Sequence, residues 1–102
     1  MLGSVAAACP SFPLMLDGGI RRGSDVLKAV ALGASMVFAG RPFIYAAAVG
    51  GELMVTQAIG LLRSEVGRNM AMLGVNSLQE VVAAECMVRI AGRNSIFEKV
   101  YT

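Results

Sequence analysis

The 102-residue chain has no histidine and no tryptophan, only two cysteines and three prolines, and 16% charged residues. Without histidine there is no Ser-His-Asp or Cys-His pair, no His-Glu-x-x-His zinc site and no imidazole base. Every mechanism that needs an imidazole is therefore excluded, and no catalytic residue or metal ligand set is singled out. Cys9 and Cys86 stand far apart and form no Cys-x-x-Cys pair; they suffice for one bridge, but in an apolar, loop-poor chain they read as buried thiols of a cytoplasmic protein. Strong charge of either sign is also missing. A net charge of +2 gives no reason to expect a nucleic-acid or anionic-membrane partner. Uninterrupted apolar runs stop short of the roughly 18 residues that a membrane span needs. Asp17, Arg21 and Lys28 break them early, and Glu52, Arg63 and Glu65 break them later. Val5-Ala6-Ala7-Ala8-Cys9 has the look of a lipoprotein cleavage box, yet no Lys or Arg precedes it, so export is not expected.

Apolar residues are plentiful instead. They make up 56% of the chain, against about 45 to 50% in an ordinary globular domain. One small domain is the upper limit at this length, and the excess implies surfaces covered by something else.

Met1 to Ala8 reads as the end of a helix that lacks a cap. After Pro10-Ser11, the run Phe12 to Leu16 is apolar on both faces and ends in Asp17-Gly18-Gly19, which predicts a parallel strand covered on both sides, with Pro13 at its start. Ser24 is placed to cap a helix carrying Val26, Leu27, Val30, Ala31 and Ala34 on one face, and Gly33 suits its end. A second strand, Met36 to Ala39, closes at Gly40. Strand, helix, strand makes a βαβ unit with parallel strands. Pro42 opens a short Ala-rich helix that Gly50-Gly51 stops. From Glu52 to Leu73, Val55, Ile59, Leu62, Val66, Met70 and Leu73 predict one amphipathic face, and Gly60 and Gly67 suggest a closely packed backbone. Gly74 ends that helix, and Ser77-x-x-Glu80 predicts a capping box for another. Two parallel strands with two or three helices leave sheet faces and edges open, so the sequence reads as part of a larger α/β structure.

Both strands end in a loop that pairs glycine with arginine: Asp17-Gly18-Gly19-Ile20-Arg21-Arg22-Gly23 and Gly40-Arg41-Pro42. Ligands of parallel α/β folds bind at the carboxyl ends of strands. Glycine lets backbone N–H groups turn toward an anion, arginine offers a charged fork, and a helix starting at Pro42 adds its dipole, so the pair predicts a phosphate cradle. The dinucleotide fingerprint fails at Ile20, where its second glycine belongs, and the P-loop fails at Ser24, where lysine belongs. The phosphate site of a (β/α)8 barrel remains.

The segment from Asp17 through Arg22-Gly23-Ser24-Asp25 to Ala34, then Gly40-Arg41-Pro42-Phe43, then Met70-Ala71-Met72-Leu73-Gly74, resembles the C-terminal part of the FMN-dependent α-hydroxy-acid oxidases and dehydrogenases. Glycolate oxidase, lactate oxidase, mandelate dehydrogenase and flavin-linked L-lactate dehydrogenase belong to that family. The likeness runs from about Leu14 to Val82. It implies that residues 1–102 are a partial FMN hydroxy-acid dehydrogenase domain, covering about the last two βα units of a (β/α)8 barrel, strand 7 to helix 8, plus a tail. It implies an oxidoreductase that converts a small 2-hydroxy acid to a 2-oxo acid by hydride transfer to FMN, and a homo-oligomer when complete. Asp17, Gly18, Gly19, Ile20, Arg21, Gly40 and Arg41 are then the cofactor-binding residues, with Arg21 and Arg41 the charged contacts. The family's catalytic histidine, its substrate-carboxylate arginine and its flavin-ring contacts come from earlier strands, so the isolated chain is expected to be inactive. Inosine monophosphate dehydrogenase and type 2 isopentenyl diphosphate isomerase share a similar loop and are the alternatives within the fold. A free-standing phosphate-binding βαβ module is the alternative outside it.

Overall fold

The computed structural model describes residues 1–83, in the order α1 (Leu2–Ala8), β1 (Leu14–Asp17), α2 (Gly23–Ala31), β2 (Ala34–Phe38), α3 (Arg41–Leu73) and α4 (Leu78–Ala83). The tail residues Cys86, Arg89 and Tyr101 lie outside the described residues.

The two strands are parallel neighbours, with Leu16 opposite Val37 and Asp17 opposite Phe38. Strand β1 starts two residues later than the apolar run suggests. Phe12 is held in a turn by its N–H to the Cys9 carbonyl (3.2 Å), and Pro13 has no N–H to give the ladder. Strand β2 starts earlier, at Ala34: Gly33 takes a positive φ of 104° and ends α2, which frees Ala34 to enter the sheet as a buried residue.

Helix α2 separates two apolar clusters. Toward the sheet, Ala29 packs with Ile20 and Ala34, joined by Leu16 and Val37. Away from it, Leu27 packs with Val75 and Val81, joined by Val66 and Met70 of α3. Contrary to the expectation of strands covered on both sides, only one face of the sheet is covered among the described residues. Alternation along the strands turns Met15 (64% exposed), Met36 (52%) and Phe38 (45%) outward on the other face.

Ser24 does not cap α2. The helix begins two residues earlier than that cap implies, at Gly23, and the Asp25 carboxylate accepts the backbone N–H groups of Arg21 (3.1 Å) and Arg22 (3.0 Å). Helix α3 breaks where expected: Gly50 (φ −158°, ψ 25°) and Gly51 (φ 63°, ψ −146°) interrupt the helical backbone and divide it into two segments. Of the predicted stripe, Val55, Leu62, Val66 and Met70 are partly covered and Ile59 and Leu73 are exposed, while Ala58 and Glu65 join the covered face. Contacts of Glu65 with the start of α2 hold this face inward. Gly60 and Gly67 meet no close backbone, since a Cβ on either would have nothing within 4 Å.

By length and composition alone α3 could cross a membrane, which the sequence reading did not anticipate. Its backbone is interrupted at Gly50 and Gly51, and Glu65 ties its far half to α2. Gly74 closes α3 in the left-handed conformation (φ 73°), with Val75 N–H donating to the Met70 carbonyl at 3.1 Å. The capping box at α4 forms with a shift of one residue: Ser77 Oγ accepts the Glu80 N–H (3.3 Å), and the Glu80 carboxylate reaches the N–H of Asn76 (2.9 Å). Cys9 is a free, exposed thiol and not a buried one, because α1 ends there and the chain turns on the surface.

Candidate functional site

Parallel pairing places the carboxyl ends of β1 and β2 side by side, so the loops that follow Asp17 and Phe38 leave the sheet together. All seven residues singled out in the sequence line one cleft of about 540 Å³: Asp17, Gly18, Gly19, Ile20, Arg21, Gly40 and Arg41. Phe38, Ala39, Pro42, Ile44 and Tyr45 complete it. The Ile20 side chain is 6% exposed and anchors the loop in the core, leaving its backbone to the cleft.

Gly18 (φ 92°) and Gly19 (φ 78°) are consecutive left-handed residues, a conformation that side chains with a Cβ rarely adopt. A Cβ on either would meet nothing within 4 Å, so this backbone fronts open space and is not pressed against protein. Across the cleft, Gly40 caps α3, its carbonyl accepting the N–H groups of Phe43 (3.0 Å) and Ile44 (3.1 Å). A helix leaves its first N–H groups without intrahelical partners, and Pro42 has none to offer, so the Arg41 N–H is the first-turn donor at this end.

The start of α2 is different, because carboxylates already fill it. Asp25 takes the N–H groups of Arg21 and Arg22, and Glu65 Oε2 takes that of Gly23 at 2.8 Å. Arg22 Nε also lies 3.1 Å from Glu65 Oε1. Among the described residues Arg21 and Arg41 make no ion pair, and both line the cleft. The cleft thus offers two guanidinium groups, a glycine backbone with an open front and one helix N-terminus, all suited to a single multivalent anion. Asp17 adds a carboxylate, an acceptor for hydroxyl groups.

Sequence reading missed Glu65. It sits 42 residues from Gly23, and nothing near it in the chain marks it as anything but a solvated charge. Phe38 and Ile44 carry no polar signal either.

A parallel βαβ unit with a cleft at the carboxyl ends of its strands is a part of an α/β enzyme fold. The sequence profile of the FMN-dependent dehydrogenases matches residues 1–88, and the chain belongs to that family. It is 53% identical over 68 residues to L-lactate dehydrogenase (cytochrome) of Wickerhamomyces anomalus, covering 67% of this chain and 12% of the relative. Glycolate oxidase 3 of Oryza sativa subsp. indica is 52% identical over 69 residues, covering 68% of this chain and 19% of that protein. In a crystal structure of mandelate oxidase with a difluorinated hydroxy acid, 44% identical, the likeness covers 81% of this chain and 25% of the other at a TM-score of 0.77. The monotopic membrane protein (S)-mandelate dehydrogenase is 34% identical at a TM-score of 0.75, covering 82% of this chain and 22% of the other. The chain spans 12% to 22% of the length of the curated relatives it matches.

Proposed function

We propose that this chain is the FMN-phosphate-binding C-terminal portion, strand 7 to helix 8 and a tail, of a (β/α)8-barrel oxidoreductase that converts a 2-hydroxy acid to a 2-oxo acid. The observation that carries this reading is the convergence of two Gly–Arg loops on one cleft, with Gly18 and Gly19 fronting open space there. The chain's groups fit FMN: Arg21 and Arg41 neutralise the phosphate, the Arg41 N–H and the glycine backbone orient it, and the Asp17 carboxylate accepts from ribityl hydroxyls. FMN bound there supplies the two-electron acceptor for substrate oxidation. In this division of labour the present residues hold and orient the cofactor, and proton abstraction from the hydroxy acid belongs to residues of earlier strands. The open sheet face of Met15, Met36 and Phe38 supports this assignment over a free-standing module, since a barrel interior covers such a face.

The test is flavin reconstitution of the apo form of the complete protein, followed by fluorescence quenching. FMN is expected to bind at least about tenfold more tightly than riboflavin, the worth of one charge-assisted phosphate contact. Equal affinity for the two flavins, or no flavin binding, refutes the reading.

A further inference from the structure

The Asp17–Gly23 loop carries two adjacent arginines, and only one of them can be the principal phosphate ligand. Arg22 is engaged elsewhere: its Nε lies 3.1 Å from Glu65 Oε1, while the other oxygen of the same carboxylate accepts the Gly23 N–H at 2.8 Å. One side chain of α3 therefore grips both the side chain of Arg22 and the backbone of the next residue. The grip is close. A Cβ on Gly23 would lie 2.6 Å from the Glu65 Cβ and 2.6 Å from the Val66 nitrogen, so the helix backbone abuts the loop at this point.

Two consequences follow for the cleft. With Arg22 held by Glu65, Arg21 is the arginine of this loop that faces the anion. The N–H groups of Arg21, Arg22 and Gly23 are taken by Asp25 and Glu65 and so are withheld from a phosphate, which leaves the backbone of Gly18 and Gly19 and the start of α3 as the donors along the anion cleft. Glu65 lines a smaller cleft of about 210 Å³ behind the loop, together with Arg21, Arg22, Ile20 and Pro42, and is absent from the lining of the anion cleft itself. It acts through the loop and not on the ligand.

We infer that Glu65 is a positioning residue of the cofactor-phosphate site, holding the Asp17–Gly23 loop in the one conformation that withdraws Arg22 and presents Arg21. The inference rests on the proposed FMN site and goes beyond it in naming what sets the loop. Losing Glu65 frees Arg22 and the Gly23 N–H, so the loop is no longer confined to that conformation and phosphate binding weakens.

The experiment measures FMN and riboflavin affinities of the complete protein for wild type, Glu65→Ala and Glu65→Gln. Glu65→Ala is expected to weaken FMN about tenfold, the worth of one charge-assisted hydrogen bond, while riboflavin changes by no more than about twofold. Glu65→Gln keeps an acceptor for the Gly23 N–H but loses the charge opposite Arg22, and should fall between wild type and Glu65→Ala. If either variant loses FMN and riboflavin in the same proportion, Glu65 is merely structural and the inference is overturned. Unchanged FMN affinity in both variants overturns it equally. If Glu65→Ala does not fold, Glu65→Gln alone decides. A wild type that fails to prefer FMN over riboflavin instead refutes the phosphate site, and this inference with it; a wild-type preference that is undiminished in the variants refutes the inference alone.

Discussion

Gly23 and Val66 are separated only by the absence of a side chain. A Cβ on Gly23 would sit 2.6 Å from the Val66 nitrogen, a backbone atom that cannot swing aside. Gly23→Ala should therefore force α2 and α3 apart and lower stability by about 1 to 3 kcal/mol, the usual range for overpacking. Gly60→Ala and Gly67→Ala are the contrast. Both positions are helical and open, so each substitution should raise stability by about 0.5 to 1 kcal/mol. Denaturant midpoints of the complete protein check the three together. An equal response at positions 23 and 60 contradicts the packing described.

Arg41→Ala removes one guanidinium from the cleft without touching the sheet. FMN affinity should fall by about one to two orders of magnitude, from 1.5 to 3 kcal/mol for a charge-assisted contact at 1.4 kcal/mol per tenfold. Riboflavin, which lacks the phosphate, should bind the wild type and the variant about equally. Flavin fluorescence titration reads both. Proportional loss of the two flavins makes Arg41 a structural residue.

The βαβ order, the helix break at Gly50-Gly51, the stop at Gly74 and the residues of the cleft were legible in the sequence, because glycine and proline at those points have local physical consequences. Ser24 misled. The Asp25 carboxylate, at the third helical position, takes the backbone N–H groups at this helix start in place of the hydroxyl. The covered face of α3 takes in Glu65, which the sequence does not mark, because the partners that hold it lie some forty residues away. Gly60 and Gly67 signalled close packing that belongs to Gly23, and a sequence shows only that glycine is present, not what stands opposite it. Cys9 failed for a similar reason. Its neighbours are apolar, yet the chain turns at the surface just there.

The sheet face left uncovered among the described residues bears on how the chain behaves by itself. Met15, Met36 and Phe38 form a contiguous apolar surface of a kind rarely left open on a soluble monomer. Sedimentation of the isolated chain should show self-association, which Met15→Lys with Met36→Lys reduces. A compact wild-type monomer with cooperative unfolding contradicts this expectation.

The isolated chain should not oxidise 2-hydroxy acids. Proton abstraction requires a positioned base, and the cleft contributes arginines, glycines and one aspartate. Lactate, glycolate or mandelate added anaerobically to the chain with FMN should leave the flavin absorbance band unbleached. Substrate-dependent bleaching by the pure chain contradicts this division of labour.

The corner at Gly50 and Gly51 makes two cooperative units out of one helix. No residue of α3 is fully buried, but the segment beyond the corner is fastened to α2 through Glu65 and packs Val66 and Met70 beside the buried Leu27. Local opening free energy follows such differences in burial. Amide protons of residues 45–49 should accordingly exchange with solvent faster than those of residues 62–70, and anion binding should slow the first group while leaving the second unchanged. The cofactor end of the helix then gains its protection from the ligand, and the far end holds its own through the fold.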